Sequence, residues 1–299
     1  MILTSKTIVY ALSLASLVCA LLLVALYGTQ APFHTSAMSD SDTKIFTIDI
    51  DPSLISAKAA IVYDPITKQV LFEKSADRRL PLASLTKLMS ADAVLASIDS
   101  NQAVQITGEN LKPTGDSGFR VGEFWKLGDL IKFGLVASSN DAMAAAAATL
   151  GGDVVDRMNR RAKELGLTQT YFFNPTGLDL DVETAGAYGS VRDVAILAGA
   201  FLEQFPAQFE ATASPSISIS TTHHVLEATS TATPLMSIPG LIGAKTGYTD
   251  LAGGNLVAAF DIEIGRPLIV AVLGSTRDGR FDDVKLLMLE ARKLFTDQN

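Results

Sequence analysis

The 299-residue sequence has one cysteine, Cys19, so no internal disulfide and no cysteine-based metal cluster can form. It has three histidines. His34 is isolated and His223 and His224 are adjacent, which on a strand points them to opposite faces. None has the spacing of a metal ligand set, so all three read as surface residues, and no metal or organic cofactor is called for. Basic residues are in deficit: 24 Lys and Arg against 32 Asp and Glu give a net charge of −8. A field of that sign repels a polyanion, and with no basic patch nucleic acid is excluded as a partner. Charged residues are few at 19% while hydrophobic residues reach 48%, which excludes a disordered chain and supplies apolar surface for one large or two ordinary domains. Repeats of about 20 to 50 residues are absent, so solenoids and propellers are excluded.

What is present begins with an apolar run. Thr7 to Tyr27 is 21 residues without a charge. A helix of that length, at ~1.5 Å per residue, spans the ~30 Å hydrocarbon core of a bilayer. A signal peptide has a shorter apolar region of ~7 to 15 residues, and Thr29-Gln30-Ala31 matches a cleavage site only loosely. An uncleaved anchor is the favoured reading and a signal peptide the alternative. Lys6 before the span and Asp40 and Asp42 after it place the rest of the chain outside the cytoplasm. Residues 1–6 then form a cytoplasmic tail, 7–28 the transmembrane anchor, 29–46 a Ser/Thr/Asp-rich linker and 47–299 the globular domain. Cys19 is a small apolar residue in mid-span.

The expected strands cluster at the two ends of the globular part. Ala59 to Tyr63 and Val70 to Glu73 flank the turn former Asp64-Pro65-Ile66-Thr67-Lys68, a hairpin signature. Leu241 to Gly247, Asn255 to Phe260 and Leu268 to Leu273 are short, apolar and bounded by Gly or Pro. Between them apolar residues recur at helical spacing over Ser84–Ser97, Leu127–Val136, Asn140–Leu150, Val154–Leu165 and Ser190–Leu202, and again over Asp282–Phe295. The pattern predicts an α+β fold in three layers: one antiparallel sheet made from N- and C-terminal strands, helices packed on it, and an inserted helical lobe.

Three short motifs carry chemistry. Ser84-Leu85-Thr86-Lys87 opens a helical run, so Ser84 and Lys87, three residues apart, share a face. A neutral lysine amine there can take the serine proton and activate a nucleophile. Alone the pattern is weak, since Ser41-Asp42-Thr43-Lys44 spells it too and a serine at a helix start is usually a cap. Ser138-Ser139-Asn140 precedes an alanine-rich helix, where a cap is again the simplest role. Lys245-Thr246-Gly247 falls on a predicted strand, where a lysine is ordinarily solvated. Together, in the order S-x-x-K, S-x-N, K-T-G with gaps of 54 and 107 residues, they form the set found in penicillin-binding proteins and class A β-lactamases.

With the stretches IVYDPITKQVLFEKSADRRLPLASLTKLMSA, LVASSNDA, FFNPTGLD, GAYGSVRDVA, GAKTGYTDLAGGNLVA and GRFDDVKLL, the chain from about Ala59 onward resembles the low-molecular-weight penicillin-binding proteins, the serine D-alanyl-D-alanine carboxypeptidases. It departs from their pattern at Ser139, where glycine is commoner, and at TSTATPLM, which lacks a usual Asn. The family's C-terminal β-domain and amphipathic helix have no counterpart after the last packing helix, so the N-terminal span is expected to serve as the anchor.

The resemblance implies a penicillin-binding transpeptidase/β-lactamase-like fold and a set of roles. Ser84 attacks the carbonyl of the D-Ala-D-Ala bond of a peptidoglycan stem peptide, and β-lactams inhibit by acylating it. Lys87 is the base, its pKa brought from ~10.4 toward ~7 to 8 by desolvation and by the charge of Lys245. Ser138 relays the proton to the leaving amine, Asn140 binds the substrate amide and holds Lys87, and Lys245 and Thr246 take the terminal carboxylate. Gly247 belongs to the same strand motif, the backbone N–H groups of Ser84 and Tyr248 make the oxyanion site, and Arg280 assists with the carboxylate. The alternatives are a D,D-endopeptidase acting on cross-links, a class A-like β-lactamase using Glu183, and an inactive wall-binding protein.

Overall fold

The computed structural model describes residues 47–112 and 118–296. The expected span, the linker up to residue 46, Cys19 and His34 lie outside them. Among the described residues no helix is long and apolar enough to cross a membrane.

In chain order the strands are β1 Ala59–Tyr63, β2 Val70–Lys74, β3 Leu80–Pro81, β4 Ala103–Gln105, β5 Phe124–Lys126, β6 Tyr171–Phe172, β7 Ala187–Gly189, β8 Ser216–Ser220, β9 Val225–Thr229, β10 Leu241–Thr249, β11 Gly253–Glu263 and β12 Arg266–Ser275. The α-helices are α1 Thr86–Leu95, α2 Leu127–Val136, α3 Asn140–Ala148, α4 Val154–Glu164, α5 Val191–Gln204, α6 Pro206–Glu210 and α7 Gly279–Thr296. The main sheet is antiparallel with order β10-β11-β12-β1-β2, so strands from both ends of the sequence do meet in one sheet and β10 is an edge. The fold is α+β, as the pattern predicts.

Alternate residues divide the sheet between two cores. Ala59, Ile61 and Tyr63 of β1, with Val257, Ala259, Ile269 and Ala271, face the helical lobe. Ala60, Val62, Leu256, Ala258, Val270 and Val272 face Val284, Leu287, Met288 and Ala291 of α7. Both faces are covered, which is why these strands read as continuous apolar runs rather than alternating ones. Each fully buried Leu, Ile or Val contributes about 1.5–3 kcal/mol by leaving water.

The hairpin of β8 and β9 has no strong signal in the sequence because most of its side chains are exposed or half-exposed. His223 and His224 sit in its turn rather than on a strand, and His223 is exposed. The surface reading of His224 is corrected. Its Nδ1 lies 2.6 Å from Glu123 Oε1, and its ring meets the buried Trp125 edge-on at 5.8 Å.

Candidate active site

The chain reaches Ser84 through Ala83, whose φ of 48° lies in the left-handed region, and passes a single 3-10 turn over Ala83–Leu85 before α1 begins. A non-glycine residue at such φ is strained by about 1–3 kcal/mol, a cost that packing must hold in place. The hydroxyl of Ser84 makes no capping bond. It is half-buried and belongs to Lys87 instead.

Lys87, one turn further along α1, is fully buried. Its Nζ lies 2.9 Å from Ser84 Oγ, 2.6 Å from Asn140 Oδ1 and 2.7 Å from the carbonyl of Thr176. Burial favours the uncharged amine and brings its pKa down to about 7. The sequence reading divided that push between Lys245 and desolvation; desolvation accounts for it. A neutral amine has two N–H donors and one lone pair. Asn140 Oδ1 and Thr176 O can only accept, so the lone pair is left for the Ser84 hydroxyl, the one partner able to donate.

Ser138 is also left-handed, with φ 59°. The capping role in S-x-N falls on the middle residue: Ser139 Oγ accepts the N–H of Ala142 at 3.1 Å and caps α3. That gives the serine at this position a use that glycine lacks, and it releases Ser138 and Asn140 for other partners. Asn140 turns to Lys87, and Ser138 Oγ lies 2.8 Å from Nζ of Lys245.

Lys245 is on an edge strand but wholly buried. Besides Ser138 it meets the Thr246 carbonyl at 2.8 Å. Its pKa is held well below the ordinary lysine value, first by desolvation and then by the charges of Lys87 and Arg280. Thr246 Oγ1 is 2.7 Å from Thr231 Oγ1. At Gly247 the strand passes so near the start of α1 that a Cβ would stand 3.1 Å from Ser84 N and 3.0 Å from Leu82 O, so any side chain there would push the two segments apart by a few tenths of an ångström. Tyr248 is exposed, with the Arg277 guanidinium 4.1 Å above its ring. Arg280 is buried behind the strand, donating to Gly247 O at 2.7 Å and Asn255 O at 3.4 Å. From the first turn of α7 it holds strand backbone.

Two groups went unassigned in the sequence. The Thr176 carbonyl belongs to the Asn174-Pro175-Thr176-Gly177 turn, closed by Asn174 Oδ1 accepting from Thr176 N at 3.1 Å and Gly177 N at 2.7 Å. An Asn-Pro start followed by Gly was the available signal for that turn. Thr231 carries no such signal. Glu183 is exposed on a turn whose N–H groups bond to Asp181 Oδ1.

The family model of the S11 peptidases, D-alanyl-D-alanine carboxypeptidase, matches residues 47–277, which hold every one of these groups but Arg280. The chain belongs to that family. D-alanyl-D-alanine carboxypeptidase DacF of Bacillus subtilis is 32% identical over 213 residues, 68% of this chain and 54% of DacF, so the chain spans about half the length of that relative. Among solved structures, the D-alanyl-D-alanine carboxypeptidase of Mycobacterium tuberculosis H37Rv superposes with a TM-score of 0.74 at 28% identity, covering 82% of this chain and 93% of that one. Penicillin-binding protein D2 of Listeria monocytogenes in its ampicillin-bound form gives 0.68 at 31% identity, covering 79% and 97%.

Proposed function

We infer that this S11 peptidase is a serine D-alanyl-D-alanine carboxypeptidase that removes the terminal D-Ala from peptidoglycan stem peptides through an acyl-enzyme at Ser84. The observation that carries the reading is the buried amine of Lys87, which has two pure acceptors for its N–H groups and its lone pair on Ser84. Lys87 takes the Ser84 proton as Oγ adds to the penultimate D-Ala carbonyl. The oxyanion meets the N–H groups of Ser84 and Tyr248, brought together by the close approach at Gly247. The C–N bond then breaks, Ser138 passes a proton to the departing D-Ala amine, and water hydrolyses the ester to regenerate Ser84. Lys245 and Thr246 bind the substrate carboxylate. An anion beside Lys245 favours its ammonium form, so carboxylate binding raises the pKa of the amine. A β-lactam acylates the same oxygen.

The chain is tethered outside the cytoplasm by an N-terminal span; the uncharged run from Thr7 to Tyr27, with Lys6 before it, supports this. The test of the chemistry is intact-protein mass spectrometry. Penicillin should add its mass at Ser84, and a pentapeptide ending in D-Ala-D-Ala should lose one D-Ala. Ser84→Ala should abolish both, by more than about 10³-fold for turnover. An adduct that survives in Ser84→Ala or maps to Ser41 overturns the assignment.

A further inference from the structure

One end of the main sheet is tipped with apolar residues. The β1–β2 turn presents Ile66, 62% exposed, and the β11–β12 turn presents Ile264, fully exposed. The register sets the two turns side by side: β1 and β12 are neighbours, with Tyr63 opposite Ile269. Between them lies an apolar hollow of about 510 Å³ lined by Pro65, Leu202 and Pro267. The β1–β2 tip is held firmly. Asp64 Oδ1 accepts the N–H groups of Ile66 at 2.8 Å and Thr67 at 3.0 Å, and Lys68 N–H bonds back to Asp64 O at 2.9 Å, so Ile66 is held outward by a pinned turn. Charge around the hollow is balanced, with Lys68 and Arg266 against Glu203 and Glu263, on a chain whose net charge is −8. Single exposed apolar side chains are ordinary; a pair on adjacent tips beside an apolar hollow is a patch that needs a partner.

The path of the chain says which partner. Ile48 N–H bonds to Leu71 O at 2.7 Å, and Lys74 Nζ bonds to Ile55 O at 2.6 Å. The segment 48–55 therefore runs alongside β2 in the same direction, and Thr47 lies toward the turn that carries Ile66. Only 19 residues separate Thr47 from Tyr27 at the end of the uncharged run. A coil of that length has an end-to-end distance on the order of 25 Å, which keeps this end of the domain near any bilayer that holds the span and raises the effective concentration of a weak contact.

We propose that the Ile66/Ile264 end of the sheet rests on the lipid surface, its two isoleucines inserted among the headgroups. This rests on the anchor reading above and adds an orientation to it. Gly247 pairs with Asn255, eight residues or roughly 26 Å along β11 from Glu263, so Ser84 stands that far above the tips, turned away from the membrane.

The test uses the full chain with Cys19→Ala, reconstituted in vesicles of phosphatidylethanolamine and phosphatidylglycerol. Single cysteines at Ile264→Cys, Ile66→Cys and Val182→Cys carry an environment-sensitive nitrobenzoxadiazole label, and some of the lipid carries a doxyl quencher. Val182 is exposed on the loop whose Asp179 bonds to Thr249, at the opposite end of β10. Labels at 264 and 66 should be quenched at least threefold more than the label at 182, and Ile66→Asp should bring the Ile264→Cys signal down toward that of 182. Penicillin labelling of Ser84 confirms that each variant is folded. Equal quenching at all positions, or stronger quenching at 182, in protein that floats with the vesicles after an alkaline wash overturns the orientation and leaves the anchor standing. Protein that fails to float overturns the anchor and the orientation with it.

Discussion

Two fully buried lysines stand on the two sides of the site, one on helix α1 and one on strand β10, and their surroundings divide the work. Lys87 has three partners, two of them acceptors drawn from distant parts of the chain, Asn140 and the Thr176 carbonyl. Lys245 has two, the hydroxyl of Ser138 and the carbonyl of its own neighbour Thr246. The helix side is closed around a neutral amine. The strand side offers Lys245 two oxygens where an ammonium can serve three, which suits an amine that receives an anionic group. Desolvation lowers both pKa values, and Lys245 is pushed down also by the charges of Lys87 and Arg280. The same residue type at the same burial is thus suited to act as a base on one side and as an anion receptor on the other.

The largest effect that separates them is loss of the base. Lys87→Met should lower acylation by about 10³-fold, within the usual worth of a positioned general base, measured as the rate of penicilloyl adduct formation. It should also flatten the pH dependence of stability. In the unfolded chain Lys87 keeps its proton up to about 10.4, whereas in the folded protein it releases it near 7. Between those values the unfolded state binds more protons, so stability rises with pH by up to about 1.4 kcal/mol per unit for this group, and is lost as pH falls toward 7. Urea melts at pH 7 and pH 9 should show that rise in the native protein and a smaller one in Lys87→Met. An equal rise in both means that Lys87 is charged in the folded state.

Lys245→Gln should cost less, about 10- to 100-fold in kcat/KM and mostly through KM, the worth of one hydrogen bond to a charged group. Burial alone brings the Lys87 amine down, and that cause stays in place when the Lys245 side chain is changed. The acidic limb of kcat/KM should therefore stay near pH 7 in the variant. A limb displaced upward by a unit or more would show that Lys245 keeps its charge in the free enzyme and tunes the base, as the sequence reading expected.

How far the sequence carried depends on what each group does. The five-stranded sheet was legible because its strands are apolar runs bounded by turn formers, and α1 to α5 because their apolar residues recur at helical spacing. The burial of Lys245 was not, since a lysine on an edge strand reads as solvated and only tertiary packing removes its water. Ser139 as the cap of α3 could be read only once Ser138 was seen in the left-handed region. Thr176 acts through its carbonyl, which every residue possesses, so no side-chain pattern marks it. The β8–β9 hairpin carries too little buried apolar surface to stand out.

Thr231 gives the smallest effect and tests the strand side alone. It occupies TSTATPLM, the stretch that departs from the family's usual Asn, and its hydroxyl lies 2.7 Å from Thr246 Oγ1. Its own N–H is bonded to Val136 O at 3.1 Å, which fixes its backbone whatever its side chain. Thr231→Val keeps the shape and removes the hydroxyl. Thr246 then loses a partner worth about 1 kcal/mol net, and its hydroxyl is free to rotate away from the substrate carboxylate. KM should rise about fivefold, with kcat and the acidic limb unchanged because nothing on the Lys87 side has moved. If the variant instead loses kcat at constant KM, Thr231 acts on the helix side, and the division of labour between the two lysines fails at the point where the two sides come closest in sequence to meeting.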